Sequence, residues 1–281
     1  MLKLNRPEPA ARDTFVGCIN RVRNPGLRRR LESITEAVAA ASDAFELAAT
    51  GQTLHEIARH DVVGVVTRAE MEAVYVQRMA KKGAPGRAIY DELISAPIHG
   101  RCPICAQRSV TTLDHHLPKA HYPSLAVTPL NLVPSCSDCN KVKLARFPRT
   151  AADVTLHPYF DDVEGHRWLF AEVVETRPSA LRFFVEAPEA FGDPLAERLQ
   201  NHFVTFDLAR LYAVEAAEEL LNIRHQLSVI SAAVGSDGVR AHLEHEAASR
   251  LNARLNGWRT AAYIAWGGSE WFCDGGFASP G

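Results

Sequence analysis

Apolar positions recur at helical spacing along most of the first hundred residues. Residues 31–49 are alanine-rich, with an apolar period of about 3.6 that predicts an amphipathic helix. Thr67 and Glu70 have the form of a capping box ahead of Met71, Val74, Tyr75 and Met79. Those four positions share one helical face, and a packed core stripe is the expectation. Gly83 and Pro85 end that helix. Residues 86–95 then form a short helix, stopped by Pro97.

The pattern changes near residue 100 and returns to helix near residue 193. Leu113 and Asp114 read as the end of a short strand running into a turn set by Pro118, and residues 140–145 as a short helix before Pro148. Residues 156–162 form a loop. Residues 167–175 and 181–186 read as two strands; in the second, Leu181, Phe183 and Val185 alternate with Arg182, Phe184 and Glu186. Asp193 and Pro194 suit a cap and first helical turn. Residues 195–230 are expected as two helices broken near Thr205, Phe206 and Asp207, and residues 239–265 as a further amphipathic segment. The tail, residues 266–281, reads as loop.

This order predicts an α+β chain, mostly helical, with a small finger between helical flanks. The expected regions are 1–98 (helical), 99–149 (the finger) and 150–281 (a strand pair, then helices). At 281 residues, with 47% hydrophobic and 23% charged residues, the composition is that of a globular protein rather than a disordered one. No apolar run approaches the roughly 18 residues of a membrane span, so no membrane association is expected.

Net charge is −2, so contact with a polyanion must come from a patch. Residues 99–149 hold seven Lys/Arg (Arg101, Arg108, Lys119, Lys141, Lys143, Arg146, Arg149) against two acids (Asp114, Asp138). Lys119, Lys141, Lys143 and Arg146 flank the motif described below and are candidate nucleic-acid contacts; an ordinary solvated surface is the plainer alternative. A second run, residues 21–30, carries five arginines and no acid. It serves equally as an extension of that track or as a solvated helix.

Cys102, Cys105, Cys136 and Cys139 form two Cys-x-x-Cys pairs. One such pair also describes redox sites. Two pairs about thirty residues apart have the spacing of a closed structural zinc site, with no open position for water. Two disulfides or four unrelated core thiols are the competing readings. Disulfides are disfavoured because the first residues lack the apolar stretch of a secretory signal, which points to a reducing cytoplasm. Cys18 and Cys273 lack partner spacing and read as lone thiols.

Between and beside the pairs stand Asp114, His115, His116, Pro118, Asn131, Asn140 and Lys143. The pattern Cys-x-x-Cys, Asp-His-x-x-Pro, Asn-Leu-Val-Pro, Cys-x-x-Cys-Asn-x-x-Lys over residues 102–143 resembles the zinc-containing ββα-metal finger of HNH endonucleases. The resemblance implies that Asp114 and Asn140 ligate a catalytic divalent cation, magnesium or manganese, and that Asn140 stands in the place of the last histidine. It implies that His115 is the general base and that Asn131 orients its imidazole through backbone or side chain. The residue types suit the chemistry. A hard oxygen-bound cation offsets charge developing on a phosphodiester, and a neutral imidazole accepts a proton near pH 7. His116 points away from His115 if both lie on a strand, and reads as a packing or phosphate-contact residue.

The function expected is therefore metal-dependent hydrolysis of DNA. In layout the chain is loosely similar to the HNH subunits of bacterial phage-defence systems such as Septu, which implies a defence effector and an ATPase partner. Two alternatives stand beside this. One is a zinc-finger module that binds nucleic acid without catalysis. The other is a nuclease subunit active only within an assembly.

Overall fold

The computed structural model describes residues 1–143 and 146–278 and divides into two compact units, Met1–Asp162 and Val163–Gly281. The first unit opens with α1 (Ala11–Ile19), α2 (Pro25–Glu32) and α3 (Thr35–Thr50). The Asn24 side chain accepts from Leu27 N–H at 2.9 Å and Pro25 fills the first turn, so α2 starts before residue 31. The helix expected over 31–49 is thus interrupted at Ser33 and Ile34, where the Ser33 hydroxyl donates to the Arg30 carbonyl.

A two-residue hairpin not foreseen from the sequence, β1 (Val62–Val63) with β2 (Val66–Thr67), leads into α4 (Arg68–Ala73). The capping box at Thr67 and Glu70 forms, and the helix widens into a π-helical turn over Val74–Ala80. Gly86 begins α5 (Arg87–Ser95) at a point where a Cβ would lie 2.4 Å from Cys18 Sγ, so only glycine lets these segments meet.

The finger is β3 (Thr112–His115), β4 (Leu132–Ser135) and α6 (Ser137–Lys143). The strands are antiparallel, with Asp114 opposite Val133 and His115 opposite Leu132. The helix starts three residues earlier than expected, and its expected end at Ala145 lies outside the described residues. The finger has no separate core. Leu113, Ala126, Val127 and Leu132 pack in one cluster with Phe15, Val38, Met71, Val74 and Tyr90 of the flanking helices. Each buried Val, Leu, Met or Phe side chain here contributes about 1.5–3 kcal/mol relative to exposure, so the helices brace the hairpin.

The second unit holds the antiparallel pair β5 (Leu169–Val174) and β6 (Ala180–Val185), then α7 (Gly192–Thr205), α8 (Leu208–Ala253), α9 (Trp258–Gly268) and α10 (Glu270–Cys273). Alternation on β6 buries Leu181 and Phe183, while Phe184 stacks on Phe170. Asp207, at φ 49°, separates α7 from α8, and Gly235, at φ 71°, bends α8. The tail differs from the loop expected for 266–281. Trp266, Phe272 and Phe277 are buried and mutually packed, and that apolar area holds residues 266–278 in short helical turns. Residues 279–281 lie outside the described residues.

Candidate metal centre and the residues beside it

The first cysteine pair sits on a tight turn. Cys102 N–H donates to the Arg108 carbonyl and Ala106 N–H to the Cys102 carbonyl, both at 2.8 Å. Ala106 takes a left-handed φ of 59° to close it. Cys136 ends the hairpin and Cys139 lies in the first turn of α6, with its N–H 3.4 Å from Cys136 Sγ. An Arg108–Asp138 ion pair at 3.0 Å joins the turn to that helix.

The four sulfurs are buried and lie within 4.8 Å of one another. A tetrahedral ion with metal–sulfur bonds of about 2.3 Å requires sulfurs about 3.8 Å apart. All six cysteines of the chain are free, which disposes of the disulfide reading. Hydrogen bonding among the sulfurs lowers the Cys105 pKa and draws Cys136 down to about 6, while Cys102 and Cys139 are raised. Four buried thiols sharing protons at this distance fit a soft cation such as zinc, which would displace those protons. The chain thus carries a metal-binding module set in a mostly helical scaffold.

Across the hairpin from the cysteines, Asp114 and His115 leave β3 in opposite directions, as adjacent strand residues must. Asp114 faces α6 and is 5% exposed. Its Oδ2 accepts from Lys143 Nζ at 2.7 Å, and the same ammonium donates to the His115 carbonyl at 2.5 Å. Burial raises the Asp114 pKa and the Lys143 charge opposes that rise. Asn140 lies three residues before Lys143, on the same side of α6, and is half-buried.

His115 is 6% exposed and packs edge-on against Tyr75, with ring centroids 4.4 Å apart. Its Nε2 lies 2.8 Å from the Ala126 carbonyl. A carbonyl only accepts, so Nε2 carries the proton and Nδ1 keeps a lone pair. Burial lowers the His115 pKa to about 3, keeping the ring neutral at pH 7.

Asn131 is buried and makes no bond to the His115 ring. Its Oδ1 accepts from Leu117 N–H at 2.7 Å, and its Nδ2 donates to the Leu117 and Leu125 carbonyls. Its backbone carbonyl accepts from His116 N–H at 2.8 Å. Asn131 therefore pins the loop whose next residue, Ala126, holds the imidazole. His116 turns instead toward His157, with ring centroids 4.2 Å apart.

The four candidate nucleic-acid contacts divide. Lys141 and Arg146 are exposed, whereas Lys119 is half-buried with Nζ 5.5 Å from the Tyr75 ring centroid. Lys143 is buried on Asp114. Two groups with a part in the geometry had no signal of function in the sequence. Tyr75 read as core stripe, and the Ala126 carbonyl carries no side-chain mark at all.

No family model matches the chain, and no solved structure matches it. A stretch of 166 residues is 34% identical to Protein ea31 of Escherichia phage lambda. That stretch is 58% of this chain and 56% of the relative, so the chain spans about half the length of the protein it resembles. No described helix is long and apolar enough to cross a membrane.

Proposed function

We propose that the chain is a metal-dependent HNH-type endonuclease that hydrolyses DNA phosphodiester bonds on a zinc-stabilised ββα finger. The observation that carries the reading is the neutral His115 imidazole. Its Nε2–H is committed to Ala126, which leaves the lone pair on Nδ1, at the end of a hairpin that also holds a buried carboxylate. In the reaction His115 Nδ1 takes a proton from water as the water oxygen bonds to phosphorus. The bond to the leaving oxygen breaks, and that oxygen is protonated from solvent. Asn131 keeps the loop, and with it the imidazole, in place.

Asp114 and Asn140 are oxygen donors of the type that holds magnesium or manganese. When bound, such an ion would neutralise charge on the phosphate and leaving oxygen. Lys143 occupies Oδ2 of Asp114, so Lys143 either shares that carboxylate or withdraws from it.

The same contact favours the second reading, a zinc module that binds nucleic acid without cutting it. A carboxylate already neutralised and an imidazole 6% exposed describe a closed site. Incubating the protein with supercoiled plasmid and added magnesium or manganese separates the two. Nicking that falls about 10²–10⁴-fold in His115→Ala, with zinc content unchanged, supports the nuclease. Binding without nicking at any divalent ion supports the module. The wider role, a defence effector working with an ATPase, rests on overall layout alone. Activity that appears only after the ATPase is added would support it.

A further inference from the structure

We infer that Arg59, Lys119, His121, Phe147 and Arg149 form a binding platform for a DNA strand leading toward His115. The inference rests on the nuclease reading for the direction of the strand, though not for the binding. Three segments far apart in sequence converge on one half-buried aromatic ring. The Arg59 guanidinium lies 4.0 Å from the Phe147 ring centroid, Arg149 lies 5.8 Å from it, and the His121 ring meets it edge-on at 4.9 Å.

Hydrogen bonds to backbone carbonyls fasten the first two of these segments together. His60 N–H donates to the His121 carbonyl at 3.1 Å, and Arg68 reaches the Ala120 carbonyl at 3.4 Å. Two residues before His121, Lys119 extends over Tyr75, whose ring packs on His115. Positive charge therefore continues from the exposed arginines on that ring to the candidate base.

Nearby acids offset it only in part, Asp153 facing the Arg149 charge. Asp61 is paired with Arg68 at 3.3 Å. Asp153 accepts from the backbone N–H groups of Arg149 and Thr150, each at 2.9 Å. Among the described residues the Arg59 guanidinium has no carboxylate partner.

An exposed guanidinium on a ring in water contributes little stability, a small return for ordering two exposed arginines. The same arrangement is well suited to a phosphate chain with stackable bases, because the planar forks are already oriented. The arginine run at 21–30 lacks this organisation. Arg28 is paired with Glu32 and Arg30 with Glu70.

The test is fluorescence anisotropy with labelled single-stranded and duplex DNA, in a His115→Ala background so that nothing is cut. Arg59→Ala with Arg149→Ala should raise Kd about tenfold near 0.1 M salt. It should also flatten the slope of log K against log salt by about 0.7–0.9 per lost phosphate contact. Phe147→Leu should weaken single-strand binding several-fold with the slope unchanged. Arg23→Ala with Arg29→Ala is the control and should change neither.

Wild-type-like affinity and slope in the Arg59/Arg149 variant overturns the platform, as does an equal loss in the control or unaltered single-strand binding in Phe147→Leu. Binding lost in these variants while the native chain cuts no DNA keeps the platform and discards the nuclease. Cutting by the native chain with full binding in the variants does the reverse.

Discussion

The cysteine cluster and the Asp114–His115 pair share one hairpin and one helix, yet they handle buried polar groups differently. The four sulfurs converge within 4.8 Å, and Arg108, which feels their charge, is itself paired with Asp138 on the rim, so one shared guanidinium faces four sulfurs. Asp114 has an internal counter-ion, Lys143, one turn beyond Asn140. The first site is one that an ion from outside can complete. The second is electrostatically closed as it stands, and opening it requires Lys143 to move or share. The first site therefore depends on what binds it, while the second is neutralised within the chain.

The largest effect that would sharpen this contrast is loss of the metal. Cys105→Ser should release zinc and remove a local folding contribution on the order of 10 kcal/mol. Metal analysis and a thermal melt would show the zinc gone and the melting transition lowered. A zinc-free wild-type chain with an unchanged melt would break the comparison.

Next in size is the internal pair. Lys143→Ala leaves a buried carboxylate uncompensated and should cost about 3–5 kcal/mol in urea unfolding, with zinc still bound. The double change Asp114→Asn with Lys143→Met should recover most of that loss. A cost in the single variant as small as that of a surface pair, about 0–1 kcal/mol, would mean that Lys143 is not the counter-ion.

A pH effect follows from His115. Its pKa falls from an ordinary 6.5 to about 3 in the folded chain because burial disfavours the charged ring. As pH drops below 6.5 the unfolded state takes up the proton first, so stability should decline between about pH 6.5 and 3. Above 6.5 both states are neutral and the group contributes nothing to the slope. Denaturant midpoints in that window should fall less steeply in His115→Ala than in the native chain. Parallel slopes would show that the imidazole is not buried.

The smallest effect concerns a thiol outside both clusters. Cys18 is fully buried beside Gly86, and burial pushes its pKa up to about 12, so it is an inert core thiol rather than a spare ligand. Cys18→Ser buries a hydroxyl and should cost about 1–3 kcal/mol with zinc retained. Loss of zinc would tie it to the metal site.

Much of this was legible along the chain, where the signal was local. The capping box at Thr67 and the alternation on β6 each depend on residues a few positions apart, and both formed. The double Cys-x-x-Cys spacing announced the cluster because each pair sits on its own turn, which sets two ligands at once. Longer-range outcomes were not legible. Lys143 read as a surface contact by composition, and only the packing of α6 against β3 buries it on Asp114. The tail read as loop because five glycines outweigh four aromatics locally, whereas Trp266, Phe272 and Phe277 find one another in space.

The sequence by itself determined which residue types can hold a soft ion, which can hold a hard one, that a strand lies between the two cysteine pairs, and that a short helix follows the second pair. These follow from ligand chemistry and short-range spacing. Tertiary structure decided the rest. It set the tautomer of His115 through a carbonyl eleven residues away, the company of Tyr75, the neutralisation of Asp114, and the meeting of Arg59 and Arg149 on Phe147. Each of these depends on burial and on contacts between segments, and the energy of a charge or a proton is set by what surrounds it in space rather than by its neighbours in the chain.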